Sequence, residues 1–150
     1  MEAQQHDGRS TAQWLGYLGL IPFVAGAVLV LTGDPASRDL AIRAVIAYGA
    51  VIVSFVGAIH WGIALNAAHA RAGTLYVVSV LPSLVAWLAL LFTPPTGLVL
   101  LIAAFVLLWL YERATLWSNV FPGWFATLRT RLTAVAASIL ALLLMFVPRG

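Results

Sequence analysis

The stretch that decides the fold is Tyr48-Gly-Ala-Val-Ile-Val-Ser-Phe-Val-Gly-Ala-Ile-His-Trp-Gly62. It is apolar apart from small residues, one serine and one histidine, His60. Such a segment can lie in lipid, where an ionisable side chain is costly and usually faces a bundle interior or a water-filled cavity. The stretch therefore predicts a membrane helix and makes His60 the first candidate for a role beyond packing.

Composition extends this conclusion to the whole chain. Of 150 residues, 63% are hydrophobic and 9% are charged, and the mean hydropathy is +1.01, which excludes an ordinary soluble domain. The net charge of +3 comes from scattered arginines, so nucleic acid is not an expected partner. The absence of cysteine excludes disulfides, iron–sulfur ligation and thiolate catalysis.

Apolar segments and the breaks between them predict the architecture. Five segments have the length and hydropathy of membrane spans: 14–31, 41–65, 75–92, 96–117 and 132–147. We predict an all-α polytopic membrane protein, a bundle of five transmembrane helices. Residues 1–13 form a polar amino-terminal tail, and residues 14–148 form a single transmembrane domain.

The segment between the last two spans has a different pattern. Across residues 121–131, Trp124, Phe125 and Leu128 fall on one side, with Arg129 and Arg131 nearby. This arrangement is typical of a helix that lies along the membrane surface. It predicts a short interfacial helix between transmembrane helices 4 and 5.

Arginine asymmetry predicts the orientation. Three arginines fall on the far side of the membrane: Arg38, Arg43 and Arg149. Five fall on the side of the amino terminus: Arg9, Arg71, Arg113, Arg129 and Arg131. The positive-inside rule then places the amino terminus in the cytoplasm. A composition rich in alanine, leucine and arginine and free of lysine favours a bacterial inner membrane.

Small residues in the second span predict close helix packing. Ala50, Ser54, Ala58 and Gly62 recur every four residues, a pattern that lets membrane helices approach closely. An adjacent stripe at helical spacing contains Gly57 and His60. Two small-residue faces predict a central helix.

Each of the first four spans contributes polar side chains that are expected at one depth, near the membrane boundary on the side of the amino terminus. A carboxylate at the membrane boundary needs a partner, and Arg113, Arg129 or His60 could each supply one to Glu112. We take the following as candidate binding residues: Tyr17, His60, Trp61, Ser79, Ser83, Trp87, Glu112, Arg113, Trp124 and Arg129.

Three blocks carry a resemblance to a known family. They are the stretch from Tyr48 to Gly62, Leu81-Pro-Ser-Leu-Val-Ala-Trp87, and Phe121-Pro-Gly-Trp-Phe-Ala-Thr-Leu-Arg129 followed by Leu132-Thr133. They resemble the signature blocks of the small membrane proteins of domain of unknown function 3429, the transmembrane protein 69-like family. The resemblance covers nearly all of the chain after Ala12. It implies a membrane location and a helical fold, and no activity.

Three functions stay open on the sequence. The first is a non-catalytic accessory or assembly component of a membrane complex, because no catalytic motif occurs beside the packing faces. The second is binding or transport of a quinone, a lipid or a proton through the polar layer around His60 and Glu112. The third is a membrane enzyme that uses His60.

Cofactors and partners follow from the same residues. No cofactor or metal site is expected within one chain, because His60 is the one intramembrane histidine and haem b usually takes two axial ligands. A quinone, or a haem at a homodimer interface, remains open. The expected partners are the lipid bilayer and other membrane proteins or a second copy of the chain.

Overall fold

The structure is a computed structural model that describes residues 2–66, 72–118 and 120–147, with side chains described from Gly8 onward. Helices make up almost all of this part of the chain. They are α1 (Glu2–Leu18), α2 (Ile21–Thr32), α3 (Pro35–Leu65), α4 (Ala72–Leu91), α5 (Pro94–Thr115) and α6 (Gly123–Leu144).

Five helical segments are long and apolar enough to cross a membrane, and they confirm the predicted fold class. The first joins most of α1 to α2 and runs from Gly8 to Thr32. The other four are α3, α4, α5 and α6, of 31, 20, 22 and 22 residues. At about 1.5 Å of rise per residue, even α4 covers about 30 Å, the thickness of the hydrocarbon core.

A break at Gly19 and Leu20 separates α1 from α2 within the first span. Pro22 lies in the first turn of α2, where its missing amide proton costs nothing, but it cannot continue the hydrogen bonds of α1. Beside the break, the carbonyl of Gly19 accepts a hydrogen bond from the Tyr48 hydroxyl of α3 at 2.9 Å. Helix α3 thus satisfies one of the backbone groups at the break.

Helix α3 is central, as predicted, and contacts α2, α4 and α5. Its start is fixed by Asp34, whose carboxylate accepts from the amides of Ala36 at 3.0 Å and Ser37 at 3.2 Å. Pro35 occupies the first helical position, where its fixed φ favours the helix. The 31 residues of α3 would span about 46 Å, so the helix tilts or projects from the hydrocarbon.

Helices α3 and α4 approach each other closely at Gly57. A Cβ at this position would lie 2.9 Å from the Ser79 carbonyl oxygen and 3.1 Å from Pro82 Cγ. Gly97 allows a similar approach of α5 to α4, where a Cβ would lie 2.5 Å from the Ala89 carbonyl oxygen. These contacts are possible because glycine has no side chain.

The predicted packing face of α3 is correct only in part. Ala50 and Gly57 are buried, and half-buried Ser54 donates to the Ala50 carbonyl at 2.8 Å. Ala58 and Gly62 are exposed, and a Cβ on Gly62 would meet nothing within 4 Å. The prediction that these two residues pack against another helix of the chain is therefore wrong. The helix buries the adjacent stripe instead, which consists of Gly49, Val53, Gly57, His60 and Ala64.

The interfacial helix predicted across residues 121–131 is not a separate element in the described part of the chain. Residues 123–131 form the first turns of α6, which continues without interruption to Leu144. Two arginines suggested that the span could begin only at Leu132. Arg129 is neutralised inside the bundle, however, and Arg131 lies at the surface, so neither ends the helix. At the amino terminus, the predicted polar tail is helical from Glu2 and continuous with the rest of α1.

Candidate functional site

Three helix ends bring ionisable side chains together at one side of the bundle. His60 lies in the last two turns of α3, Glu112 lies in the last turn of α5, and Arg129 lies in the second turn of α6. At about 1.5 Å per residue, all three side chains begin within about 10 Å of their helix ends. They are buried, with relative exposures of 0%, 0% and 4%. We call His60, Glu112 and Arg129 the buried ionic cluster.

Glu112 and Arg129 form a two-pronged ion pair. Arg129 Nε donates to Glu112 Oε2 at 3.0 Å, and Arg129 Nη2 donates to Oε1 at 3.0 Å. The planar guanidinium matches both carboxylate oxygens, which is the geometry in which arginine pairs most strongly. The pair joins α5 to α6 and removes the charge that either residue alone would place inside the bundle.

His60 lies next to this pair. Its Nδ1 donates to the Gly57 carbonyl at 3.1 Å, and because a carbonyl can only accept, the proton of the neutral ring is on Nδ1. Its Nε2 lies 3.9 Å from Glu112 Oε1 and has no hydrogen-bond partner among the described residues. The Tyr111 ring covers the imidazole at 5.8 Å between ring centroids. His60 therefore directs one unpartnered nitrogen towards the carboxylate.

A buried hydroxyl on α6 also lacks a partner within the described part of the chain. Thr133 is 5% exposed, and its Oγ1 makes no hydrogen bond there. It lies one turn beyond Arg129 and on the same helix face. Sequence reasoning missed both Thr133 and Tyr111. The signal for Thr133 was its spacing of four from Arg129, and that for Tyr111 was its place beside Glu112.

The remaining predicted site residues lie outside the cluster. Buried Ser79 donates to the Tyr76 carbonyl at 2.6 Å, and Ser83 is half-buried on the same helix. Trp61 is exposed and packs edge-on against Tyr76 at 4.9 Å, and Trp87 is exposed. Trp61 and Trp87 therefore lie outside the bundle interior that encloses His60, and the Ser79 hydroxyl is bonded within its own helix.

Three further candidates lie at the outer surface of the same bundle end. Exposed Tyr17 accepts a hydrogen bond from Arg131 Nη1 at 3.2 Å. Arg113 points away from Glu112 and lies over the Trp109 ring at 5.4 Å. Trp124 is half-buried, with the Arg9 guanidinium 5.8 Å from its ring centroid. Of the partners proposed for Glu112, the structure selects Arg129 and places His60 beside it, whereas Arg113 is excluded.

The chemistry open to this arrangement is narrow. A carboxylate held by two guanidinium bonds is a poor base, since both of its oxygens are already used. The unpartnered His60 nitrogen could accept a proton or a hydrogen bond from a small group. Within the described part of the chain, no three histidine, aspartate or glutamate side chains gather as a metal site would require.

Together, the fold and the cluster define a class: a five-span helical membrane protein with an internal ion pair beneath one surface. Its sequence matches the model of the family described as protein of unknown function (DUF3429) over residues 8–145, and the chain belongs to this family. It is also 37% identical over 134 residues to transmembrane protein 69 of Xenopus tropicalis. The match covers 87% of this chain and 52% of that relative, so the chain spans about half of the relative's length. No solved structure matches the chain.

Proposed function

We propose that this chain is a non-catalytic integral membrane protein that serves as an accessory or assembly component of a larger membrane complex. The observation that carries the proposal is the closure of the buried ionic cluster. His60 and Glu112 have no exposed surface, and both oxygens of Glu112 are bonded to Arg129. The Glu112–Arg129 pair thus joins α5 to α6, and His60 of α3 lies beside it.

The location of the protein is part of the same proposal. We infer a bacterial inner membrane with a cytoplasmic amino terminus, in accordance with the positive-inside rule. Exposed arginines at the amino-terminal end of the bundle support this orientation: Arg9, Arg113 and Arg131. At the opposite end, two exposed arginines, Arg38 and Arg43, are accompanied by Asp34 and Asp39.

The experiment is affinity purification from native membranes after chemical cross-linking, with wild type beside His60→Ala. The proposal expects a stoichiometric protein partner with both forms, because His60 is internal and touches no surface. Co-purifying lipids, quinones and visible absorbance are measured on the same preparations. A chain that elutes without any stoichiometric protein would contradict the accessory function.

A second candidate function is proton or small-molecule binding at His60, and the lack of a partner for its Nε2 among the described residues favours this function. A proton fits without any rearrangement, because it would create an imidazolium 3.9 Å from Glu112 Oε1. A quinone, or a haem shared between two chains, would require the bundle to open, since His60 has no exposed surface. A small molecule present with wild type and lost from His60→Ala would favour this function over the first.

If His60 were the base of a membrane enzyme, the helix bundle would also have to open to admit the substrate. A substrate must come within about 3 Å of the base, and the closed cluster leaves no approach to it. The accessory function needs no such movement.

A further inference from the structure

Two exposed arginines, Arg113 of α5 and Arg131 of α6, lie at the amino-terminal end of the bundle. Arg131 projects from α6 towards α1, where it donates to Tyr17, and Arg113 lies on the α5 flank over Trp109. Trp109 in turn donates through Nε1 to Thr130 Oγ1 at 3.2 Å. Arg113 is thus linked through Trp109 to Thr130, and Arg131 is the next residue of α6, so both arginines lie beside the same turn of α6. Within the described part of the chain, neither guanidinium forms a salt bridge with a carboxylate.

Small side chains continue from these arginines towards the middle of the membrane. Ala134, Ser138 and Ala141 follow Thr130 at intervals of three or four residues, so they lie on one helix face. All three are exposed. We call this face the lipid-facing strip of α6. Helix α6 also contacts α5, α2 and α1, and the strip is a part of α6 that these helices leave exposed.

The arrangement matches the two ends of a phospholipid. One guanidinium group can bind two oxygens of a phosphate at once. Tryptophan and tyrosine are typical of the membrane level at which lipid headgroups lie. The strip begins at that level and continues inward by about 5 to 15 Å, the direction an acyl chain takes. We propose that Arg113, Arg131 and the lipid-facing strip of α6 form a binding site for one anionic phospholipid.

A second membrane helix is the competing occupant, because small residues spaced by four also favour helix packing. Charge argues for the lipid. A helix packed on the strip would also cover Arg113 and Arg131, and it would need acidic side chains to pair with their guanidiniums. An anionic phospholipid supplies a phosphate for that purpose. This site is independent of the buried ionic cluster and of the proposed accessory function.

Native mass spectrometry of the intact protein in detergent, titrated with phosphatidylglycerol or phosphatidylcholine, tests the site. Wild type is expected to bind phosphatidylglycerol at least about tenfold more tightly, a difference of about 1.4 kcal/mol. The double variant Arg113→Gln/Arg131→Gln is expected to lose this preference. The matched control is Arg38→Gln/Arg43→Gln, which removes the same charge at the opposite end and should retain the preference.

A second pair of variants tests the strip itself. Ser138→Phe fills the strip and is expected to weaken the binding of both lipids. Ala58→Phe adds the same ring to an exposed position of α3 and should leave the binding of both lipids unchanged. Equal binding of both lipids by wild type would overturn the proposal even if no variant folds. The proposal would also be overturned if the two arginine double variants lost the preference for phosphatidylglycerol to the same extent. If Ser138→Phe dissociates a protein complex and leaves phosphatidylglycerol bound, the strip is a protein interface instead.

Discussion

Replacement of Arg129 by methionine is the perturbation for which the structure predicts the largest change. The guanidinium makes two charge-assisted hydrogen bonds to Glu112, both of 3.0 Å, and the carboxylate has no exposed surface. Methionine keeps most of the volume of the arginine stem, so packing changes little. The variant therefore isolates one effect, a buried carboxylate without its cation.

The expected loss in the free energy of unfolding follows from the two hydrogen bonds that Arg129 makes. Hydrogen bonds to charged groups contribute about 1.5–3 kcal/mol each, so two of them give about 3–6 kcal/mol. Removal of one partner from a buried ion pair costs about 3–5 kcal/mol in other proteins, because the remaining charge is uncompensated. We expect Arg129→Met to lower the free energy of unfolding by about 3–5 kcal/mol.

The assay is equilibrium unfolding in mixed detergent micelles, followed by far-ultraviolet circular dichroism. Arg113→Met is the matched control: this neighbouring arginine is exposed and unpaired with Glu112, and its removal should cost less than about 1 kcal/mol. The double variant Glu112→Met/Arg129→Met removes both charges and should be more stable than either single variant. A double variant that is destabilised by the sum of the two single effects would refute the reasoning, because the two residues would then act independently.

Other expected outcomes follow from single contacts. Gly57→Ala should destabilise the bundle by about 1–3 kcal/mol, because its Cβ would lie 2.9 Å from a carbonyl oxygen of α4, whereas Gly62→Ala should be neutral or stabilising in the same unfolding assay. Thr133→Val removes a buried hydroxyl with no partner among the described residues, so it should leave the unfolding free energy unchanged or raise it. The Ser37 hydroxyl and amide hold the pKa of Asp34 below its ordinary value of 3.8. The resulting stabilisation of the α3 start is present above pH 3.8 and is lost as the pH falls through the lower folded value, so the protection of the amides there, relative to their intrinsic exchange rate at each pH, should fall only below about pH 4.

The overall fold was predictable because apolar length alone identifies membrane spans. Hydropathy located all five. The error at the last span has a physical cause. Arg129 and Arg131 appear too polar for a span when they are counted singly. The cost of Arg129 is offset by a carboxylate on another helix, and local sequence does not contain that contact.

The candidate site was predictable in its depth but not in its pairings. Helix register placed His60 and Glu112 near one membrane boundary, and the structure brings them to 3.9 Å. Rotation about the helix axis was harder to predict, because α3 has two neighbouring stripes of small residues. The stripe with Gly57 is buried and the one with Gly62 is exposed, a choice made by the contact of Gly57 with α4.

Blue native electrophoresis of native membranes that express wild type or Glu112→Met/Arg129→Met at equal levels distinguishes a cluster that joins helices from one that serves a ligand. If the buried ionic cluster joins helices, the double variant, which removes the charges but keeps the packing, migrates in the same assembly as wild type. A double variant that folds to the same helical content and yet leaves the assembly would contradict the helix-joining role of the cluster.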